Sequence, residues 1–173
     1  MALCRDSFEL SFALVGKFQM PSRQLYFSYG ANMDIEKMNS RCPEARFVGS
    51  ARLPGYRLAF TLESEYWIWK GGVGDIVKDP KSEVWGLVYE LSESDLILLD
   101  KYEEAPKVYR RISVGIEALE GRILSNAWAY EVIDKKEFVA PSSAYLDIIR
   151  TAAEKHRFPE AYKVFLNTIP TRG

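Results

Sequence analysis

The sequence predicts an α+β domain: an antiparallel or mixed sheet, curled into a barrel, with helices to one side. Segments rich in Val, Ile, Tyr and Trp outnumber segments of helical spacing. They do not alternate with helices as βαβ units do. With 173 residues, 47% of them hydrophobic, the chain suits one compact domain with a real core. Ten Tyr and nine Phe favour a strand-rich interior or a pocket walled by hydroxyl-tipped rings.

In chain order, residues 1–22 come first and show no clean period. Arg5 ahead of residues 12–15 is a poor signal-peptide pattern, because Glu9 interrupts the apolar stretch and no clean small-residue cleavage site follows. The stretch is read as a poorly ordered extension ahead of a domain spanning 23–173. Residues 25–29 form a short apolar run that ends at Gly30, a buried strand entering a turn. A short helix is expected from Asn32 to Met38, with Pro43 closing the segment. Residues 47–62 alternate in polarity around Pro54-Gly55, which reads as strand, turn, strand. Gly71, Gly72 and Gly74 crowd the stretch 69–76, so the backbone there bends or is closely approached. Residues 84–91 are a strong strand candidate.

A helix of about three turns should follow Ser92, which can cap it, with Glu93 and Asp95 loading its first turn and Pro106 breaking it. Residues 110–119 and 123–133 pair as a hairpin around Glu120-Gly121. Beyond Pro141, Ser142 or Ser143 caps a helix to about His156. Pro159 starts a last short helix that ends before Pro170.

Composition excludes several classes of function. A formal net charge of −1 without a basic stripe argues against nucleic acid, since Tyr109-Arg110-Arg111 is too short to track a backbone. No run of 18 apolar residues offers a membrane span. Cys4 and Cys42 do not make a disulfide framework, so a reducing, cytoplasmic setting is expected. The chain has a single histidine, His156, set between Lys155 and Arg157 at a helix end; it is a poor triad member, and the inventory cannot supply a zinc site. The run from Gly71 to Gly74 lacks the Gly-Lys-Ser/Thr ending of a phosphate loop. Catalysis, if present, falls to carboxylates, tyrosines and backbone groups, with no cofactor or metal.

Two places stand out. A strand that stops at Tyr29-Gly30 and turns at once into a helix gathers backbone N–H groups into a nest suited to a carboxylate; an ordinary strand–turn with a permissive glycine reads the same way. Glu103 lies four residues after Leu99 and seven after Leu96, so it continues their buried face. Facing inward, it would be desolvated and its pKa would rise toward neutrality. The competing reading is a Glu that frays outward at the helix end, as Glu104 is expected to do.

Five segments in order resemble the γ-glutamyl cyclotransferases, including the AIG2-like group: LYFSYGANM, WKGGVGDI, EVWGLVYEL, LDKYEE followed by Tyr109, and PSSAY. The resemblance runs from Leu25 nearly to the C-terminus. It implies a small mixed β-barrel with flanking helices and makes Glu103 the catalytic acid/base. It makes Tyr26, Phe27, Ser28, Tyr29, Gly30, Ala31 and Asn32 the cradle of a γ-glutamyl group, with Tyr109 and Tyr145 lining the same pocket. Ala31 stands where the family usually has Ser, and Gly74-Asp75 replaces a small Ala-Thr pair. The reaction implied is cyclisation of a γ-glutamyl amine or amino acid to 5-oxoproline, a lyase or acyltransferase type of chemistry on a small-molecule substrate. A homodimer is plausible by the same resemblance. The alternative is a binding or scaffold domain that keeps the pocket without turnover.

Overall fold

The structure is a computed structural model that describes residues 22–64 and 70–172. The proposed extension, Cys4 and Trp69 lie outside the described residues. The elements are β1 (Gln24–Ser28), a 3-10 turn (Ala31–Met33), α1 (Ile35–Arg41), β2 (Arg46–Ser64), β3 (Gly71–Leu91), α2 (Glu93–Tyr102), β4 (Tyr109–Ala118), β5 (Ile123–Val132), α3 (Ser143–Lys155) and α4 (Glu160–Thr168).

The five strands close into a barrel in the order β1-β3-β2-β4-β5. Neighbours are antiparallel except at the closing seam, where β1 meets β5 in parallel through Tyr26 and Trp128. The barrel is therefore mixed, with the helices on its flanks. Closure needs β1 to lie tightly on β3, and Gly86 permits it. A Cβ there would stand 2.2 Å from the Ser28 carbonyl and 2.7 Å from the Phe27 ring.

Two expectations about strands are corrected. Pro54-Gly55 does not turn the chain; β2 runs through it without a break. Pro54 pairs with Glu83 and Tyr56 with Lys78, so the register is irregular here, with Gly55 alone opposite the four extra residues 79–82 of β3, and its φ of 77° is open to glycine. Proline is tolerated because such an irregularity asks for no ladder N–H at that point. Likewise β3 extends from the glycine segment to Leu91 as one strand. The close approach expected at those glycines is present. A Cβ on Gly72 would fall 2.0 Å from the Val139 carbonyl and one on Gly71 2.6 Å from that of Ala140.

The helices start as their sequences direct. Ser92 caps α2 by accepting from the Asp95 N–H at 3.2 Å, and Ser142 caps α3 by accepting from Tyr145 N–H at 3.2 Å. Leu96 and Leu99 of α2 are fully buried, as are Leu146, Ile149 and Ala153 of α3. No described helix is long and apolar enough to cross a membrane.

Candidate active site

Four stretches meet at one end of the barrel: the end of β1 with its 3-10 turn, the end of α1, the end of α2 and the first turn of α3. Glu103 is the C-cap of α2, with its N–H bonded to the Leu99 carbonyl at 2.9 Å. The next residue, Glu104, takes a left-handed φ of 51° and is exposed. The helix therefore stops one residue after Glu103 has been turned inward, which decides between the two readings of its phase. Glu103 Oε1 accepts from Asn32 Nδ2 at 2.9 Å, and the same nitrogen donates to the Tyr26 hydroxyl at 2.8 Å. Asn32 Oδ1 in turn accepts from Arg41 Nη1, and Arg41 Nη2 donates to the Tyr102 hydroxyl.

Tyr145 fills the turn of the loop from the other side. Its hydroxyl oxygen accepts from the Gly74 N–H at 2.9 Å and from the N–H of Ala31. A Cβ on Gly30 would come within 2.8 Å of that oxygen, so the turn needs glycine for closeness of approach rather than for positive φ. Of the loop N–H groups expected to form a nest, that of Ala31 meets this phenol, while those of Met33 and Asp34 bond the Gly30 and Ala31 carbonyls within the 3-10 turn. Tyr109 donates to the Gly74 carbonyl at 3.0 Å. Tyr29 stays within the cluster: its hydroxyl donates to the Tyr130 carbonyl at 2.5 Å, its ring lies beside Gly74, and burial raises its pKa with Tyr109, Tyr26 and Tyr145 near by. Ser28 is buried beside Tyr26. Phe27 packs over Gly86 in the core, so it supports β1 rather than lining the cluster.

The electrostatics single out one group. Burial raises the Glu103 carboxyl above the usual carboxylate range, and the Asn32 bond and the Arg41 charge oppose that shift without cancelling it. Burial comes first among the causes for the tyrosines too. The Tyr145 hydroxyl is pushed up to about 12, and those of Tyr26 and Tyr109 rise further, with the Glu103 charge adding to each. The cluster thus holds one carboxyl, its pKa raised by burial, among tyrosine hydroxyls that stay neutral near neutral pH. Cys42 is fully buried and its thiol is pushed up to about 12, which makes it inert. His156 caps the far end of α3 with its ring against Phe47, centroids 5.1 Å apart. Among the described residues no three His, Cys, Asp or Glu side chains gather as metal ligands do.

Several neighbours were not singled out by the sequence. Tyr130 meets the Tyr26 ring edge-on at 5.9 Å and donates to Asp100 at 2.7 Å. It lies in the run 129–132 of β5, buried at every position, and nothing in the pattern marks it as part of a site. Arg41 lies in the last turn of α1, nine residues from Asn32, and no motif joined them. Asp75 now has a physical account. It is fully buried, and its carboxylate takes Thr61 Oγ1 at 2.6 Å, the N–H groups of Ile76 and Val132 at 2.8 and 2.9 Å, and Lys135 Nζ at 2.7 Å.

Comparison with known proteins places the chain in a family. Residues 26–147 match the family described as gamma-glutamyl cyclotransferase, AIG2-like. The gamma-glutamylcyclotransferase of Bos taurus is 34% identical over 152 residues, covering 84% of this chain and 78% of the relative. That of Homo sapiens is 32% identical over 148 residues with the same coverage. A solved gamma-glutamyl cyclotransferase superposes with a TM-score of 0.81 at 30% identity, across 87% of this chain and 90% of that one.

Proposed function

The chain belongs to the AIG2-like γ-glutamyl cyclotransferase family, and on that premise we propose that it cyclises a γ-glutamyl amine or γ-glutamyl amino acid, with Glu103 as the acid/base. The observation that supports this most is the desolvated carboxyl of Glu103, held by Asn32 within a cluster of neutral hydroxyls.

The reaction needs neither water nor a protein nucleophile. The ionised Glu103 takes a proton from the substrate's α-ammonium, and the freed amine nitrogen attacks the γ-carbonyl carbon to form the lactam C–N bond. Glu103 then returns that proton to the departing nitrogen as the original amide bond breaks, and the second proton of the attacking nitrogen passes to the same nitrogen, leaving a neutral lactam N–H and an ammonium product. The products are 5-oxoproline and a free amine. Holding the glutamyl arm bent supplies most of the advantage, since intramolecular attack can reach effective molarities on the order of 10⁵–10⁸ M. A raised pKa serves both transfers, because the group must accept and donate near the working pH. The two N–H bonds accepted by Tyr145 polarise its hydroxyl, which strengthens it as a donor to a developing oxyanion.

The test is a panel of γ-glutamyl amides and dipeptides assayed for 5-oxoproline. Turnover of at least one member is expected, and none from its N-acetylated form, which lacks a usable amine lone pair. Release of free glutamate or N-acetylglutamate would mark hydrolysis and end the cyclotransferase reading. Binding without turnover across the panel would favour a domain that keeps the pocket and not the reaction.

A further inference from the structure

We propose that Arg41 is a positioning residue for this site, locking the Asn32 amide so that its NH₂ group is presented to Glu103. The inference rests on the reading of Glu103 as the acid/base.

The argument begins with hydrogen-bond inventory. A guanidinium has five N–H donors and no acceptor. Whatever faces Arg41 Nη1 must be an acceptor, so the Asn32 amide turns its oxygen to Arg41. Its nitrogen is then left for Tyr26 and Glu103, at 2.8 and 2.9 Å. A reversed amide would put two acceptors against each other at that same 2.9 Å, which is tolerable only if Glu103 carries a proton. The orientation that Arg41 enforces is therefore the one that favours the ionised carboxylate. That is the form able to take a proton from an ammonium.

Arg41 is itself held. Its guanidinium carbon lies 3.6 Å from the centroid of the Tyr102 ring, and Nη2 donates to the Tyr102 hydroxyl. It also sits in the last turn of α1, where the helix carbonyls favour a cation. Tyr102 and Glu103 are adjacent at the end of α2, so one arginine ties α1 to α2 directly through Tyr102 and, by way of Asn32, through Glu103. The other ionisable groups acting with Glu103 are Tyr26 from β1, Tyr109 from β4, Tyr145 from α3 and Cys42 after α1. All four are neutral over the working range. On its own element, Lys101 and Glu104 point to solvent. Arg41 is thus the charged group that opposes the effect of burial, beside the Asn32 hydrogen bond that it orients.

The experiment is the pH profile of kcat/KM for 5-oxoproline release, using whichever γ-glutamyl amide of the panel the wild type turns over. Arg41→Gln is the informative change: its amide offers both a donor and an acceptor, so it no longer dictates which way Asn32 faces. Its acidic limb should move to higher pH. The loss relative to wild type should be about tenfold or more on the acid side and less than about threefold on the alkaline side, as expected for removing a nearby opposite charge. Arg41→Lys, a donor-only cation, should return the limb toward wild type although it lacks the planar fork. Both variants are to be checked by thermal melting, and the Lys variant carries the test if the Gln variant does not fold. A uniform loss across all pH values in Arg41→Gln, or a Lys variant displaced as far as the Gln one, would overturn the positioning role. Should the wild type release no 5-oxoproline at all, the reading of the reaction fails first, and this inference with it.

Discussion

Burial lifts the Glu103 carboxyl above the ordinary glutamate range, and that single shift has consequences for both rate and stability. Glu103→Gln keeps the shape and can still accept from Asn32, but it cannot take a proton. A loss of about 10²–10⁴-fold in kcat is expected, with little change in KM, because the charge matters during proton transfer. Stability should move the other way. An acid whose folded pKa exceeds its unfolded one favours the fold when protonated. Its contribution is intact below the ordinary glutamate range and is lost as pH rises through the raised folded value. The Gln variant, neutral throughout, should therefore melt at or above the wild-type temperature at about pH 8, and the gap should close toward about pH 4. Glu104→Gln is the control, since that side chain is exposed beyond the helix end and its loss should be silent in both assays. A Glu103→Gln protein retaining more than about a tenth of wild-type kcat would remove Glu103 from the mechanism.

At the scale of elements, the helix ends and the β4–β5 hairpin were legible because each is fixed by local chemistry. Ser92 and Ser142 cap, Pro159 precedes α4, and Glu120-Gly121 turns the chain. The continuity of β2 and β3 was not legible. Pro54-Gly55 is a turn signal taken alone, and only the long register of β2 on β3 converts it into an irregularity within one strand pair. The glycines at the start of β3 were readable as a close approach, but not what approaches. It is the segment after β5, which lies across them and leads into α3. The Gly72 N–H donates to the Ala140 carbonyl at 2.9 Å, and Val139 N–H bonds the Phe60 carbonyl at 2.9 Å. Gly72→Ala would drive a Cβ into the Val139 backbone at 2.0 Å, and backbone cannot rotate away as a side chain would. A cost of about 2 kcal/mol or more is expected in urea unfolding, together with lost activity because the same segment positions Tyr145. Gly115→Ala, where a Cβ would meet nothing within 4 Å, should change stability by less than about 0.5 kcal/mol. Equal effects from the two substitutions would mean that crowding at Gly72 does not govern the docking of this segment.

At the scale of the whole molecule, the barrel is joined by more than its ladders. In the order β1-β3-β2-β4-β5, strands β3 and β5 are not neighbours, yet Asp75 of β3 accepts from the Val132 N–H at the end of β5. The same carboxylate takes Thr61 of β2 and Lys135 beyond β5, so one buried side chain fastens three strands and the segment that follows them. None of this was visible in the sequence, where Asp75 was only an unexplained departure from a small residue. A charge can be buried there only because a partner 60 residues away arrives with it, and long-range pairing leaves no local pattern. Lys135→Met is the decisive change. It leaves the carboxylate buried with three neutral donors and no opposite charge. Breaking a buried pair from one side typically costs about 3–5 kcal/mol, and because Lys135 retains 29% of its side-chain exposure, about 2 kcal/mol is the expectation here. Lys136→Met removes an exposed charge next door and should cost less than about 0.5 kcal/mol. Activity should fall with stability in the Lys135 variant, since Asp75 follows Gly74, whose N–H and carbonyl engage Tyr145 and Tyr109. If urea unfolding finds the two variants alike, Asp75 is satisfied by its neutral donors alone, and the ion pair does not fasten the barrel end.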